Sequence, residues 1–166
     1  ETAQPWLSYM AVALVGACLG FLRYNARHAT VYLGNNGSFL LGFSLATALV
    51  FARWSEDGLK SAILPCVILS VPLYDIALTT YLRWRSGVVR TLREAIVYCG
   101  HDHIAHRLVA LGLSRTQAVG VLWGLGILAG GAALAISRTD GPGGYLPIAA
   151  GYGAILAALG CALGRA

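Results

Sequence analysis

The sequence predicts an all-α, polytopic bundle of transmembrane helices, and three observations carry that prediction. Of 166 residues, 57% are hydrophobic and only 11% charged, where a soluble domain carries about a quarter charged residues. Five apolar segments approach the roughly 20 residues that span a bilayer: 7–22, 37–53, 61–82, 117–137 and 147–164. Nine of the 12 Lys and Arg residues also fall on one side of those segments: Arg23, Arg27, Arg83, Arg85, Arg90, Arg93, Arg107, Arg115 and Arg165, against Arg53, Lys60 and Arg138 on the other. The positive-inside rule then makes the loops 23–36 and 83–116 cytoplasmic, with the N-terminus outside and the C-terminus cytoplasmic.

Taken in order, the opening ETAQPW is acidic and aromatic, so the span at 7–22 lacks the basic flank of a signal peptide. A chain that opens on Glu1 reads as processed or as part of something longer. Between the first two spans lies a polar loop within FLRYNARHATVYLGNNGSFLLGF, Phe21 to Phe43. The third span, at 61–82, contains Asp75. Beyond it, residues 88–99 (VVRTLREAIVYC) have helical spacing with Arg90, Arg93 and Glu94 on one side, the pattern of a short amphipathic helix along the inner interface. TDGPGG is a turn between the last two spans, the final one being rich in Gly and Ala. No linker is long enough to divide the chain, so 1–166 reads as a single membrane domain.

Glycines four apart (Gly16/Gly20, Gly120/Gly124, Gly126/Gly130, Gly160/Gly164) suit close helix packing in lipid. Cys18, Cys66, Cys99 and Cys161 are far apart and give no disulfide framework. All four histidines lie in inner loops, which argues against haem or chlorophyll held by a histidine within the bilayer. No GxSxG, P-loop or CxxC chemistry is present. The net charge of +5 orients the chain and suits anionic lipid or substrate phosphates, with no nucleic-acid partner required.

Three places carry candidate chemistry. Asp75, an ionisable group inside a span, is either functional or half of a structural pair with Arg83 or Arg85. In Cys99-Gly-His101-Asp102-His103-Ile-Ala-His106-Arg107, His103 and His106 share a helix face, flanked by Asp102 and Arg107. That segment reads as a phosphate or nucleotide contact, as a solvated basic loop, or as a zinc site of Cys99, His101, His103 and His106, whose spacing matches no standard pattern. In the opening loop, Gly34 and Gly37 let backbone approach a ligand, Ser38 begins the next helix, and Asn25, Asn35 and Asn36 offer neutral contacts. The carboxylates that would hold Mg²⁺ in phosphoryl transfer are missing from this loop.

Together and in order, these motifs resemble the polyprenyl-phosphate N-acetylhexosamine-1-phosphate transferases, the glycosyltransferase family 4 type. The pattern F-L-x-[FY]-N-x-x-P-A-x-x-[FY]-[ML]-G-D-x-G-S-x-x-L-G looks like Phe21 to Gly42, P-[LI]-x-D looks like Pro72 to Asp75, and D-x-x-H-x-H-H-R-L looks like Gly100 to Leu108, followed by Gly112. The resemblance implies a multi-pass protein of the bacterial inner membrane. Such proteins move a sugar 1-phosphate from a UDP-sugar to polyprenyl phosphate with Mg²⁺ at the cytoplasmic face.

It covers only the C-terminal half of the usual fold; the family's Asp-Asp pair would lie upstream of anything in the chain. The metal-site Asp is Asn35, the Pro of the first motif is His28, the Asp opening the histidine motif is Gly100, and the middle His is Ala105. Retained are Asn25, Gly34, Gly37, Ser38, Asp75, His103, His106 and Arg107. Losing one electrostatic group of this kind costs on the order of 10²–10³ in rate. The chain alone is therefore expected to be inactive and to need no metal or other cofactor, serving as a structural or accessory subunit of a larger membrane complex. If it is instead a fragment of an active transferase of cell-envelope glycan synthesis, Mg²⁺ is its cofactor. The expected partners are the lipid bilayer, other membrane subunits, and polyprenyl phosphate or a UDP-sugar.

Overall fold

A computed structural model describes residues 4–26, 29–98, 100 and 102–164. Those residues form eight α-helices and no β-strand. The chain forms two compact units, Glu1–Glu56 and Asp57–Ala166.

The first unit is a helical hairpin of α1 (Pro5–Asn25) and α2 (Gly34–Phe51). Pro5 suits the start of α1, where its missing N–H has no intrahelical role. The Gln4 side chain closes the hairpin by donating to Arg53 O (2.8 Å) and accepting from Arg53 N–H (2.9 Å). No residue of α1 is buried, as expected of an apolar helix whose solvent is hydrocarbon rather than protein. The helix α2 begins at Gly34, so Gly34-Asn35-Asn36-Gly37 forms its first turn and Ser38 lies one turn in, instead of opening the helix. Gly34 adopts φ +65°, a left-handed conformation that only glycine takes without strain.

The second unit holds α3 (Gly58–Ile68), α4 (Ser70–Arg85), α5 (Leu92–Val97), α6 (Ile104–Ala110), α7 (Arg115–Arg138) and α8 (Pro142–Leu163). The expected single span at 61–82 is broken at Leu69, where α3 and α4 meet at 74°. Pro72 explains the break: in a continuous helix its ring would strike the carbonyl of Ile68, and it has no N–H to donate there. In the first turn of α4 the missing N–H costs nothing. The bend is braced by α8, through a buried Ser70–Tyr152 hydroxyl bond (2.6 Å) and a bond from Tyr74 OH to Leu156 O (2.6 Å).

At the other end, Asp57 caps α3 by accepting from Leu59 N–H (2.9 Å) and also accepts from Tyr145 OH (2.8 Å). The buried Lys60 ammonium donates to Ser137 O (3.0 Å) and Thr139 O (2.8 Å), satisfying carbonyls where α7 ends.

Three helices are long and apolar enough to cross a membrane (α1, α7 and α8), and the bent α3–α4 pair makes four if it is one span. That is fewer than the five expected. The segment at 37–53 falls short because the first turn of α2 is polar, leaving a largely apolar stretch of about 14 residues, or roughly 21 Å of helix, from Ser38 to Phe51. The amphipathic helix expected over 88–99 contracts to Leu92–Val97. Val88 is instead part of the turn that ends α4: Gly87, at φ +75°, donates to Trp84 O (3.1 Å) and Val88 donates to Arg83 O (3.0 Å). The same paired motif ends α6, where Gly112 donates to Val109 O (2.9 Å) and Leu113 to Leu108 O (3.2 Å).

Ser114 then starts α7 with a reciprocal cap, its hydroxyl accepting from Gln117 N–H (3.3 Å) while Gln117 Oε1 accepts from Ser114 N–H (2.8 Å). Leu78 and Leu82 of α4, Ile104 and Leu108 of α6, Ala118 of α7 and Leu163 of α8 form one buried cluster. That cluster seats α6 against α4.

Candidate functional site

Asp75, Thr79 and Arg83 are spaced four residues apart on α4 and so share one face of it. That face receives the chain between α5 and α6. Asp75 Oδ1 accepts from Ile104 N–H (2.9 Å), Asp75 Oδ2 lies 3.0 Å from His103 Nδ1, and Thr79 Oγ1 donates to Oδ1 at 3.4 Å. Ile104 and Leu108, both buried in the cluster below, fix the register that brings these groups together. With the Asp75 carboxylate accepting, His103 Nδ1 carries the proton and Nε2 is the open position of a half-exposed ring. Among the described residues Nε2 has no other hydrogen-bond partner. Such an Asp–His pair can present a nitrogen to a phosphate oxygen, as acceptor when neutral and as donor when protonated.

Arg83 does not pair with Asp75, as one reading of the sequence had it, and Arg85 does not either. Buried at 8% exposure, Arg83 forms a two-pronged ion pair with Asp102, with Nε donating to Oδ2 at 2.7 Å and Nη2 to Oδ1. Its Nη1 donates to Tyr98 O (3.2 Å), and the guanidinium lies 4.7 Å from the centre of the Tyr98 ring. Hydrogen bonding from Arg83 holds the Asp102 carboxyl below its ordinary 3.8, against the opposing effect of burial, with the charges of Arg83 and Arg107 adding to the depression. Arg107 Nε donates to Asp102 O (2.9 Å), so Asp102 gathers two arginines. Beside this cluster is a cavity of about 270 Å³ lined in part by Thr79, Thr80, Arg83, Gly100 and His103.

His103 is not on the helix it was expected to share with His106. It is the extended N-cap of α6 (φ −61°, ψ 161°), whereas His106 is in the first turn with its side chain exposed. The structure thus gathers Asp75, His103, Asp102 and Arg107 and leaves His106 next to them in sequence. Cys99, His101 and His28 lie outside the described residues. Sequence reasoning missed Arg83 and Tyr98 as the holders of this segment; the signal was the four-residue spacing of Asp75, Thr79 and Arg83.

In the first unit, the loop residues bond to their own neighbourhood. Asn25 Nδ2 donates to Val31 O (3.0 Å), Thr30 Oγ1 to Tyr24 O (3.2 Å), and Ser38 Oγ to Gly34 O and Asn35 O (3.0 Å each). Asn25 therefore folds the loop back, and the Ser38 hydroxyl is committed to the first turn of α2. A side chain at Gly37 would run into Leu33.

Among the described residues, neither unit by itself gathers the donors of a magnesium centre. Mg²⁺ takes oxygen ligands, usually one or two of them carboxylates. Position 35 supplies a neutral amide, and the Asp75 carboxylate faces Ile104 N–H, His103 and Thr79. Among the described residues no three His, Cys, Asp or Glu side chains converge on a metal position.

Residues 2–53 match glycosyl transferase family 4. Over 121 residues the chain is 31% identical to a probable undecaprenyl-phosphate N-acetylglucosaminyl 1-phosphate transferase of Bacillus subtilis, covering 72% of this chain and 32% of that protein. Over 140 residues it is 33% identical to a decaprenyl-phosphate N-acetylglucosaminephosphotransferase of Mycobacterium tuberculosis, covering 76% and 33%. A phospho-N-acetylmuramoyl-pentapeptide-transferase of Synechococcus sp. is 34% identical over 124 residues, covering 74% and 34%. The chain spans about a third of the length of these curated relatives. No solved structure matches. The chain is a partial member of glycosyl transferase family 4, matched over one region of its relatives.

Proposed function

We propose that the chain is a membrane subunit that holds the phosphorylated substrates of a polyprenyl-phosphate sugar-1-phosphate transferase and does not carry out the transfer alone. The observation that carries this reading is how its carboxylates are used. Asp75 accepts from Ile104 N–H and lies against His103, while the position resembling the metal-site aspartate is Asn35. Within the second unit, His103 Nε2 and the outer guanidinium nitrogens of Arg107 are suited to binding an anion. The bare apolar surface of α1 supports a place among lipids or other membrane subunits in the bacterial inner membrane.

The test is direct binding of UDP and of polyprenyl phosphate to the purified chain in nanodiscs. Arg107→Gln and His106→Gln should each weaken binding about tenfold, the loss of one charge-assisted contact of about 1.5 kcal/mol. Absence of binding at millimolar ligand contradicts the proposal.

A second reading is favoured by the intact Asp75–His103 pair: the segment works inside a complete Mg²⁺-dependent transferase whose metal carboxylates come from other residues. Activity that appears only when the chain is reconstituted with those residues, and falls with Asp75→Ala, would support it. Full activity of the reconstituted Asp75→Ala protein would remove it.

A further inference from the structure

We infer that Arg83 and Asp102 are positioning residues, a clamp that ties Tyr98 and Asp102 to α4 so that the adjacent His103 keeps its Nδ1 on Asp75 and its Nε2 outward. The argument begins with α4. Asp75 and Arg83 stand two turns apart on one face, and each takes hold of the same incoming segment, Asp75 at His103 and Ile104 and Arg83 at Asp102 and Tyr98. Neither hold alone sets the histidine. Asp75 fixes the His103 ring and the first amide of α6, but His103 itself is in extended conformation, outside the helix. Arg83 supplies the missing restraint one residue upstream, with three donors shared between a carboxylate and a carbonyl and its own side chain buried. A planar guanidinium held at two carboxylate oxygens and a carbonyl leaves its partner no rotational freedom, which a lysine could not reproduce.

Gly100 carries independent evidence that the clamp is closed. A Cβ built there would lie 2.6 Å from the Tyr98 ring, 2.7 Å from Asp102 Oδ1 and 3.2 Å from Arg83 Nη2. The clamp thus fills the space a side chain would need, and any residue larger than glycine must displace it.

The inference rests on the reading of His103 as the phosphate-facing group, yet its structural half can be tested apart from binding. The chain, labelled with ¹⁵N-histidine in detergent micelles, reports the His103 tautomer by NMR, and UDP titration in nanodiscs reports function. In the parent chain His103 should hold the Nδ1–H tautomer. Asp102→Ala and Arg83→Lys should each give a mixed tautomer and weaken UDP binding on the order of tenfold. Gly100→Ala, whose methyl would run into the Tyr98 ring and the Asp102 carboxylate, should likewise give a mixed tautomer.

A fixed Nδ1–H tautomer in both Asp102→Ala and Arg83→Lys overturns the clamp. So does a fixed Nδ1–H tautomer in Gly100→Ala, with near-parent helicity by circular dichroism showing that the chain has folded. If the parent chain binds no UDP but the tautomer responds as stated, the clamp stands and the functional reading fails.

Discussion

Two polar segments interrupt the apolar helices, and they are held in opposite ways. The segment after α1 is self-contained: its side-chain bonds run from Asn25 to Val31, Thr30 to Tyr24 and Ser38 to Gly34 and Asn35, none spanning more than six residues. The segment before α6 is held from outside, by bonds from α4 that span 15 to 29 residues, and it rests on a buried cluster drawn from four helices. A local turn keeps its shape whatever surrounds it. A segment fixed by distant partners keeps its shape only while those partners stay, and for that reason it can hold a histidine in one orientation.

The comparison predicts a graded response to substitution. Arg83→Met should have the largest effect, because it leaves the partly exposed Asp102 and the Tyr98 carbonyl without their donor; losing charge-assisted bonds of this kind costs about 1.5–3 kcal/mol. Hydrogen exchange should show it as lost protection across α6 rather than in α2. Asp75→Ala should follow, at about 1–3 kcal/mol, because Ile104 N–H and His103 lose their acceptor; the same exchange experiment should place its effect at the start of α6.

A pH series should separate the segments further. The folded-state pKa of Asp102 lies below its ordinary value, so the stabilisation is complete above that value and is lost as pH falls through the depressed one. Protection of α6 should therefore hold near pH 5 and decline below about pH 3.8, and Asp102→Asn should remove that dependence. Ser38→Ala should do least, within about 0.5 kcal/mol by thermal unfolding, because its bonds are exposed and local. An effect at Ser38 as large as at Arg83 would end the distinction.

The membrane character and the order of the polar segments were legible in the sequence, because a bilayer demands long apolar runs and little else interrupts them. The break at Leu69 was not read from those runs, since counting apolar residues treats Pro72 like its neighbours although its ring stops the helix. Gly34-Asn35-Asn36-Gly37 read as loop because Gly and Asn are weak helix formers, yet it forms the first turn of α2, with Gly34 absorbing a left-handed entry. Asp75 was recognisable as costly to bury, but its partner was not. An arginine two turns along its own helix is the simpler guess, and only the turns at Gly87 and Gly112, with the Ile104 and Leu108 packing, bring residues 28 positions away against it.

The account turns on a chain whose two carboxylates nearest the site are already engaged, Asp75 with His103 and Asp102 with Arg83. The most direct measurement is UMP release from UDP-N-acetylglucosamine by the purified chain in nanodiscs containing polyprenyl phosphate, with and without Mg²⁺. The account predicts no release above background under either condition while UDP still binds. Mg²⁺-dependent release by the chain alone would contradict it.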